Sequence, residues 1–153
     1  MKKVLYMHTG SGNHGCEAII RTTAELLGGP KDVQLWSFLK NEEYRYGTVD
    51  TVEKVYRSEE LPRFSPPHIE AFVRRKFLKQ HSANMDVFIR KVFKNSIAVS
   101  VGGDNYCYPW SAEQAVELDK KIRKYCKKSV FWGCSIEESA ITPRCGKTWR
   151  NSI

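Results

Sequence analysis

The chain has 153 residues, 41% of them hydrophobic and 27% charged, with a formal net charge of +8. That is enough chain for one domain with a buried core, and the composition is that of a globular protein. No apolar run approaches the ~20 residues that span a bilayer. Lys2-Lys3 ahead of Val4–Met7 mimics a signal peptide, but its apolar part is too short. The segment reads instead as a first strand, and the expected location is the cytoplasm.

In chain order, Lys3 to His8 reads as a strand and Thr9-Gly-Ser-Gly-Asn-His-Gly15 as a glycine-rich turn. Glu17 to Leu27 reads as a helix with a stripe of Ala18, Ile19, Thr23, Leu26 and Leu27, closed by Gly28-Gly29-Pro30. Val33 to Phe38 is a second strand, which makes the first forty residues a βαβ unit. A short helix or loop near Glu42 to Tyr46 and a weak strand at Val52 to Tyr56 follow. Leu61 to Pro67 reads as a surface connection, and Ile69–Lys79 and Met85–Phe93 as helices. Ser96 to Val101 is a buried central strand, rich in β-branched residues. It breaks at Gly102-Gly103, and Ser111 with Gln114 predicts a capping box opening a helix over Ala112–Cys126. Val130 to Ser135 is a last strand. This alternation predicts an α/β fold, an open parallel Rossmann-like sheet flanked by helices.

The positive charge concentrates in two places: Arg74, Arg75, Lys76 and Lys79 beside Phe72, Val73 and Phe77, and Arg90, Lys91 and Lys94 beside Val87, Phe88 and Val92. Such spacing describes amphipathic helices with solvated basic faces, or a surface that meets an anion. No nucleic-acid partner is expected. The five cysteines are odd in number and lack a Cys-x-x-Cys pair, so reduced thiols are expected. The four histidines are scattered, and no metal site is expected.

Gly10-Ser-Gly-Asn-His-Gly15 matches the G-x-G-x-x-G turn that seats a pyrophosphate on a helix N-terminus. The acid that should end the next strand and hold a ribose is absent, since that strand ends Ser37-Phe38-Leu39-Lys40. A turn that meets some other anion, or merely connects, fits better than NAD binding. In a parallel sheet the first and fourth strands end at one rim, which brings Asn13, His14 and Glu17 toward Gly102, Gly103, Asp104 and Asn105. Asp104 and His14 are the candidate acid–base groups. Tyr106, Tyr108 and Trp110 offer aromatic faces for a sugar ring or hydrophobic cover for the strand end. Trp132-Gly-Cys-Ser-Ile136 brings Ser135 to the same edge.

Three segments together resemble the polysaccharide pyruvyl transferase family: Asn13-His-Gly-Cys-Glu-Ala18, Ser100-Val-Gly-Gly-Asp-Asn105 and Phe131-Trp-Gly-Cys-Ser-Ile136. The likeness covers residues 1 to about 143. It implies the N-terminal half of a two-domain, GT-B-like enzyme that moves a pyruvyl group from phosphoenolpyruvate onto hydroxyls of a cell-surface sugar as a ketal. It also implies that the donor is held mainly by a second domain, that the partner of this half is a sugar or lipid-linked oligosaccharide, and that no other cofactor is needed. Residues 144–153 carry no strand or helix period and depart from the likeness. They suggest a truncated chain or a slipped reading frame, and an inactive fragment. Two other readings stay open: a Rossmann-like nucleotide-binding domain, and a non-catalytic module for sugars or partners.

Overall fold

The structure is a computed structural model that describes residues 1–137, leaving out Glu59, Asp104 and the side chains of Pro109 and Trp110. The irregular tail at 144–153 lies outside the described residues.

Five strands form one parallel sheet in the order β3-β2-β1-β4-β5. They are β1 (Lys3–His8), β2 (Val33–Ser37), β3 (Lys54–Arg57), β4 (Ile97–Val101) and β5 (Lys128–Trp132). Helix α1 (His14–Leu26) links β1 to β2, and the short α2 (Lys40–Arg45) lies between β2 and β3. Helices α3 (Pro66–Phe77) and α4 (Ala83–Phe93) carry the chain back across to β4, and α5 (Pro109–Arg123) leads to β5. The chain therefore winds outward from β1 in one direction and then from β4 in the other. That reversal opens a crevice between the carboxyl ends of β1 and β4, the place where open α/β sheets take ligands. Among the described residues no helix is long and apolar enough to cross a membrane.

Strand alternation divides the core in two. Val4, Tyr6, Trp36 and Ala98 pack with Phe88, Ile89, Val92 and Phe93 of α4 and Ile122 of α5. Leu5, Val33, Leu35, Val99 and Val101 pack on the opposite face with Ile20 and Ala24 of α1. Fully burying an aromatic such as Phe88 contributes about 1.5–3 kcal/mol, and its ring lies 5.2 Å from that of Trp36. β1 breaks its own alternation near its end. The register slips between Leu5 and His8, and Met7 adopts a φ of +68°. Met7 consequently packs with the α4 side, on the same face as Tyr6.

Several helices begin where local chemistry, not apolar period, places the start. α1 opens at His14 because the Asn13 side chain accepts the amides of Gly15 and Cys16. α3 opens at Pro66, inside the stretch expected to be a connection. Pro66 and Pro67 fill first-turn positions that need no amide donor, and Ser65 accepts from the His68 amide. α5 opens at Pro109, ahead of the expected capping box, and the Ser111 hydroxyl donates to the Tyr108 carbonyl. The weak strand shifts to Lys54–Arg57 and the last strand to Lys128–Trp132.

Candidate functional site

The loops after β1 and β4 are stitched to one another. Asn105 Nδ2 donates to the Met7 carbonyl at 2.7 Å, reaching from the β4 loop to the slipped end of β1. That crossing explains Gly102. Its φ is +131°, and a Cβ there would lie 2.4 Å from Asn105 Nδ2 and 3.3 Å from the Met7 oxygen. A side chain at 102 and the Asn105 bridge exclude one another. On the far side of the loop, the Ser135 amide donates to the Gly103 carbonyl at 2.8 Å. Gly102, Gly103, Asn105 and Ser135 are thus gathered at one edge, as their strands required. Asp104 is bracketed by them in sequence but lies outside the described residues.

Beside this bridge a groove of about 680 Å³ opens toward α4 and α5. Met7, Phe38, Met85 and Leu118 supply apolar lining, and Thr9, Asn105, Ser111 and Gln114 supply hydrogen-bonding groups. An apolar floor with a few convergent polar groups suits a ligand with a hydrophobic face and several hydroxyls. Lys121 at the rim pairs with Asp86 at 3.3 Å.

His14 and Glu17 take a different position from the one expected. His14 is highly exposed, its Nδ1 lies 3.2 Å from Glu17, and its ring meets that of Tyr46 edge-on at 6.0 Å. The other Glu17 oxygen accepts from Arg21 at 2.8 Å, and Arg21 donates in turn to the Tyr46 carbonyl. The hydrogen bonds from Arg21 and His14 hold the Glu17 carboxyl below its ordinary range. These groups form an α1–α2 cluster and do not line the groove. Asn13 is committed to capping α1.

The aromatic platform also divides. Tyr106 is completely buried, so it offers no face to a sugar. Its hydroxyl lies 2.7 Å from Ser100 Oγ and 3.2 Å from Asp119 Oδ2, and Tyr6 donates to Asp119 Oδ1 at 2.8 Å. Tyr108 is exposed, while the side chain of Trp110 is outside the described residues. Burial pushes the Asp119 carboxyl up to about 6, against the opposing pull of the two phenols and of Arg123. Burial and the neighbouring Asp119 likewise raise both tyrosines above their usual range. This carboxylate ties the β4 loop to β1 and α5 from beneath.

The glycine-rich turn is filled by the protein itself. Gly12 N donates to Glu42 Oε2 at 2.7 Å, and a Cβ on Gly10 would lie 2.4 Å from that same oxygen. The turn does meet an anion, and the anion is a side chain of α2. Below it, Glu43 is fully buried and accepts from Ser37 at 2.7 Å and Ser11 at 2.5 Å, with His8 Nε2 at 2.9 Å. Thr48 donates to Ser11 at 2.8 Å. Burial pushes Glu43 up, but the hydrogen bonds from His8, Ser11 and Ser37 together outweigh it and leave the carboxyl below its ordinary value. Although Ser11, His8 and an acid meet here, one histidine nitrogen faces both partners. A nucleophilic triad needs the acid and the serine on opposite ring nitrogens.

Among the described residues no group of three potential ligands could hold a metal ion. Cys16, Cys107, Cys126 and Cys134 are free thiols, and burial raises Cys126 and Cys134. Asp119 and Glu43 were missed from sequence. A signal existed for Asp119, which falls between Ala115 and Ile122 on the apolar face of its helix. Compared with known protein families, curated proteins and solved structures, the chain matches none of them.

Proposed function

We propose that this chain is the acceptor-side α/β lobe of a pyruvyltransferase-like enzyme. It holds a saccharide at the rim between β1 and β4 while a second lobe delivers phosphoenolpyruvate. One acceptor hydroxyl adds across the donor's enol double bond while the methylene carbon takes a proton and becomes a methyl group. A second hydroxyl then displaces phosphate from the same carbon, its proton leaving to a base or with the phosphate, and a cyclic ketal remains. Asp104, between Gly103 and Asn105, is the candidate to take a hydroxyl proton, and His14, which lies in the α1–α2 cluster away from the groove, is not. The acceptor is a sugar or a lipid-linked oligosaccharide.

One observation carries this reading. The resemblance segments 100–105 and 131–136 run off the ends of β4 and β5 and are joined by the Ser135–Gly103 hydrogen bond, and Asn105 ties them to the end of β1 at Met7, one turn ahead of the segment 13–18. The groove beside them combines apolar lining with Thr9, Asn105, Ser111 and Gln114, a set suited to a polyol. The nucleotide-binding alternative has less support, because Glu42 occupies the turn that a pyrophosphate would need.

The test is amide NMR of the isotope-labelled chain. A diol-bearing oligosaccharide should shift Thr9, Asn105 and Ser135 saturably, and NAD should leave Gly10 and Gly12 unmoved. Saturable NAD shifts at the turn, with none from sugars, would reverse the assignment. Ketal formation by these 153 residues alone, followed by mass spectrometry, is expected to be absent. Its detection would remove the need for a second lobe.

A further inference from the structure

Helix α3 is oriented against the usual rule for amphipathic helices. Its apolar residues Ile69, Phe72, Val73 and Phe77 follow the spacing of a single helical face, with Lys76 in the same row. That face should turn to the core, yet Ala71 is the buried residue of α3, on the opposite side of the helix. The four apolar side chains are 43–69% exposed. Phe64 just before the helix and Leu78 at its end are more than 60% exposed. The neighbouring α4 obeys the rule and buries Val87, Phe88, Ile89, Val92 and Phe93. The outward face of α3 is therefore a property of that helix.

The charge around it has one sign. From Leu61 to Ser82 the chain carries Arg63, Arg74, Arg75, Lys76 and Lys79 against a single acid, Glu70. Glu70 is already paired with Arg74 at 2.8 Å and with Arg90. Lys76 Nζ lies over the rings of Phe72 and Phe77, 5.6 and 5.7 Å from their centroids. Its ammonium thus stands at the level of the exposed aromatic side chains, where a phosphate headgroup would meet it as the rings enter the acyl boundary.

We infer that the α3 face docks on an anionic lipid surface, with Phe64, Ile69, Phe72, Val73, Phe77 and Leu78 entering the interface and the cations meeting lipid phosphates. The complementarity is to a surface that is both apolar and negative, which an oligonucleotide or an acidic peptide does not offer over so many aliphatic and aromatic side chains. The α3–α4 connection lies next to the start of α4, and Met85 in its first turn lines the groove at the sheet edge. Docking would bring that groove close to the membrane plane. The inference stands on α3 alone and holds whether or not the groove binds a saccharide.

Co-sedimentation of the purified chain with vesicles tests it. Binding is expected to vesicles of phosphatidylcholine with about 30% phosphatidylglycerol, whose negative surface attracts cations, and to fade on pure phosphatidylcholine. F72S/F77S should abolish it. K76Q/K79Q should weaken it roughly 25-fold, about fivefold for each cation. Both pairs are exposed, so thermal melts should match the parent chain, and the charge pair decides the matter if the aromatic pair fails to fold. Equal sedimentation with both vesicle types, or binding untouched by K76Q/K79Q, overturns the inference. So does a dimer in light scattering that F72S/F77S returns to monomer, since a second copy would then be the occupant.

Discussion

Two buried carboxylates flank β1, and their surroundings drive them in opposite directions. Glu43 lies under the glycine turn with a histidine and two serine hydroxyls on its oxygens, and it is held below its ordinary value. Asp119 lies under the β4 loop with two phenols, and burial wins, lifting it to about 6. Both are almost fully inaccessible. Burial alone therefore does not decide the state of an interior acid here. The number and strength of donors converging on its oxygens does. The two also bind different structures: Glu43 locks a turn already closed by Glu42, while Asp119 underpins the loop that borders the groove.

The contrast can be broken from either end. The largest effect is expected from Glu43→Ala, which orphans His8, Ser11 and Ser37 in the interior. Loss of about 3–5 kcal/mol is expected in urea unfolding, and a value under about 1 kcal/mol would mean water replaces the carboxylate freely. Next is the pH dependence of Asp119→Asn. A carboxyl lifted from 3.8 to about 6 on folding binds more protons in the native state, so its contribution to stability falls as pH rises between those values. The parent should lose on the order of 3 kcal/mol relative to the variant from pH 4 to pH 7. Urea midpoints across that range check it, and a flat difference refutes it. Glu43 runs the other way, contributing stability above the usual carboxylate range and losing it as pH falls.

Gly102→Ala should cost about 1–3 kcal/mol, because the new methyl group meets the Asn105 amide at a left-handed φ. Pairing it with Asn105→Ala should recover part of that loss, a coupling readable in a double-mutant cycle. The smallest effect is expected for Glu42→Ala, whose carboxylate is half-exposed: about 0.5–1.5 kcal/mol, the usual net worth of one hydrogen bond. Its informative readout is new binding of phosphate or NAD at Gly12, detected by amide shifts.

Much of this arrangement was legible in the residues. β1 falls on Lys3–His8 as expected, and the parallel α/β layout follows from the βαβ pattern at the start of the chain. The convergence of Asn105 and Ser135 on one edge follows from strand direction. Helix starts were less legible, since Asn13, Pro66 and Pro109 act through capping and fixed φ, which an apolar period does not register. The partner of the glycine turn was hidden because Glu42 is distant in sequence and belongs to a six-residue helix with no apolar stripe. Tyr106 looked like its exposed neighbour Tyr108, and only the buried position of Asp119 separates them. For α3, the spacing of its apolar row was plain, but spacing alone does not fix which way the row faces.

The slip at Met7 governs both acids at once. On an evenly pleated strand Tyr6 and His8 would share a side, and a single face of the sheet would have to serve both carboxylates. The irregular residue sends the phenol one way and the imidazole the other, so one strand tethers two interior charges through two opposite layers. Straightening the strand with every residue in place would turn His8 to the face of Tyr6 and leave one acid without its partner. At this point in the chain, the backbone conformation matters more than the side chain it carries.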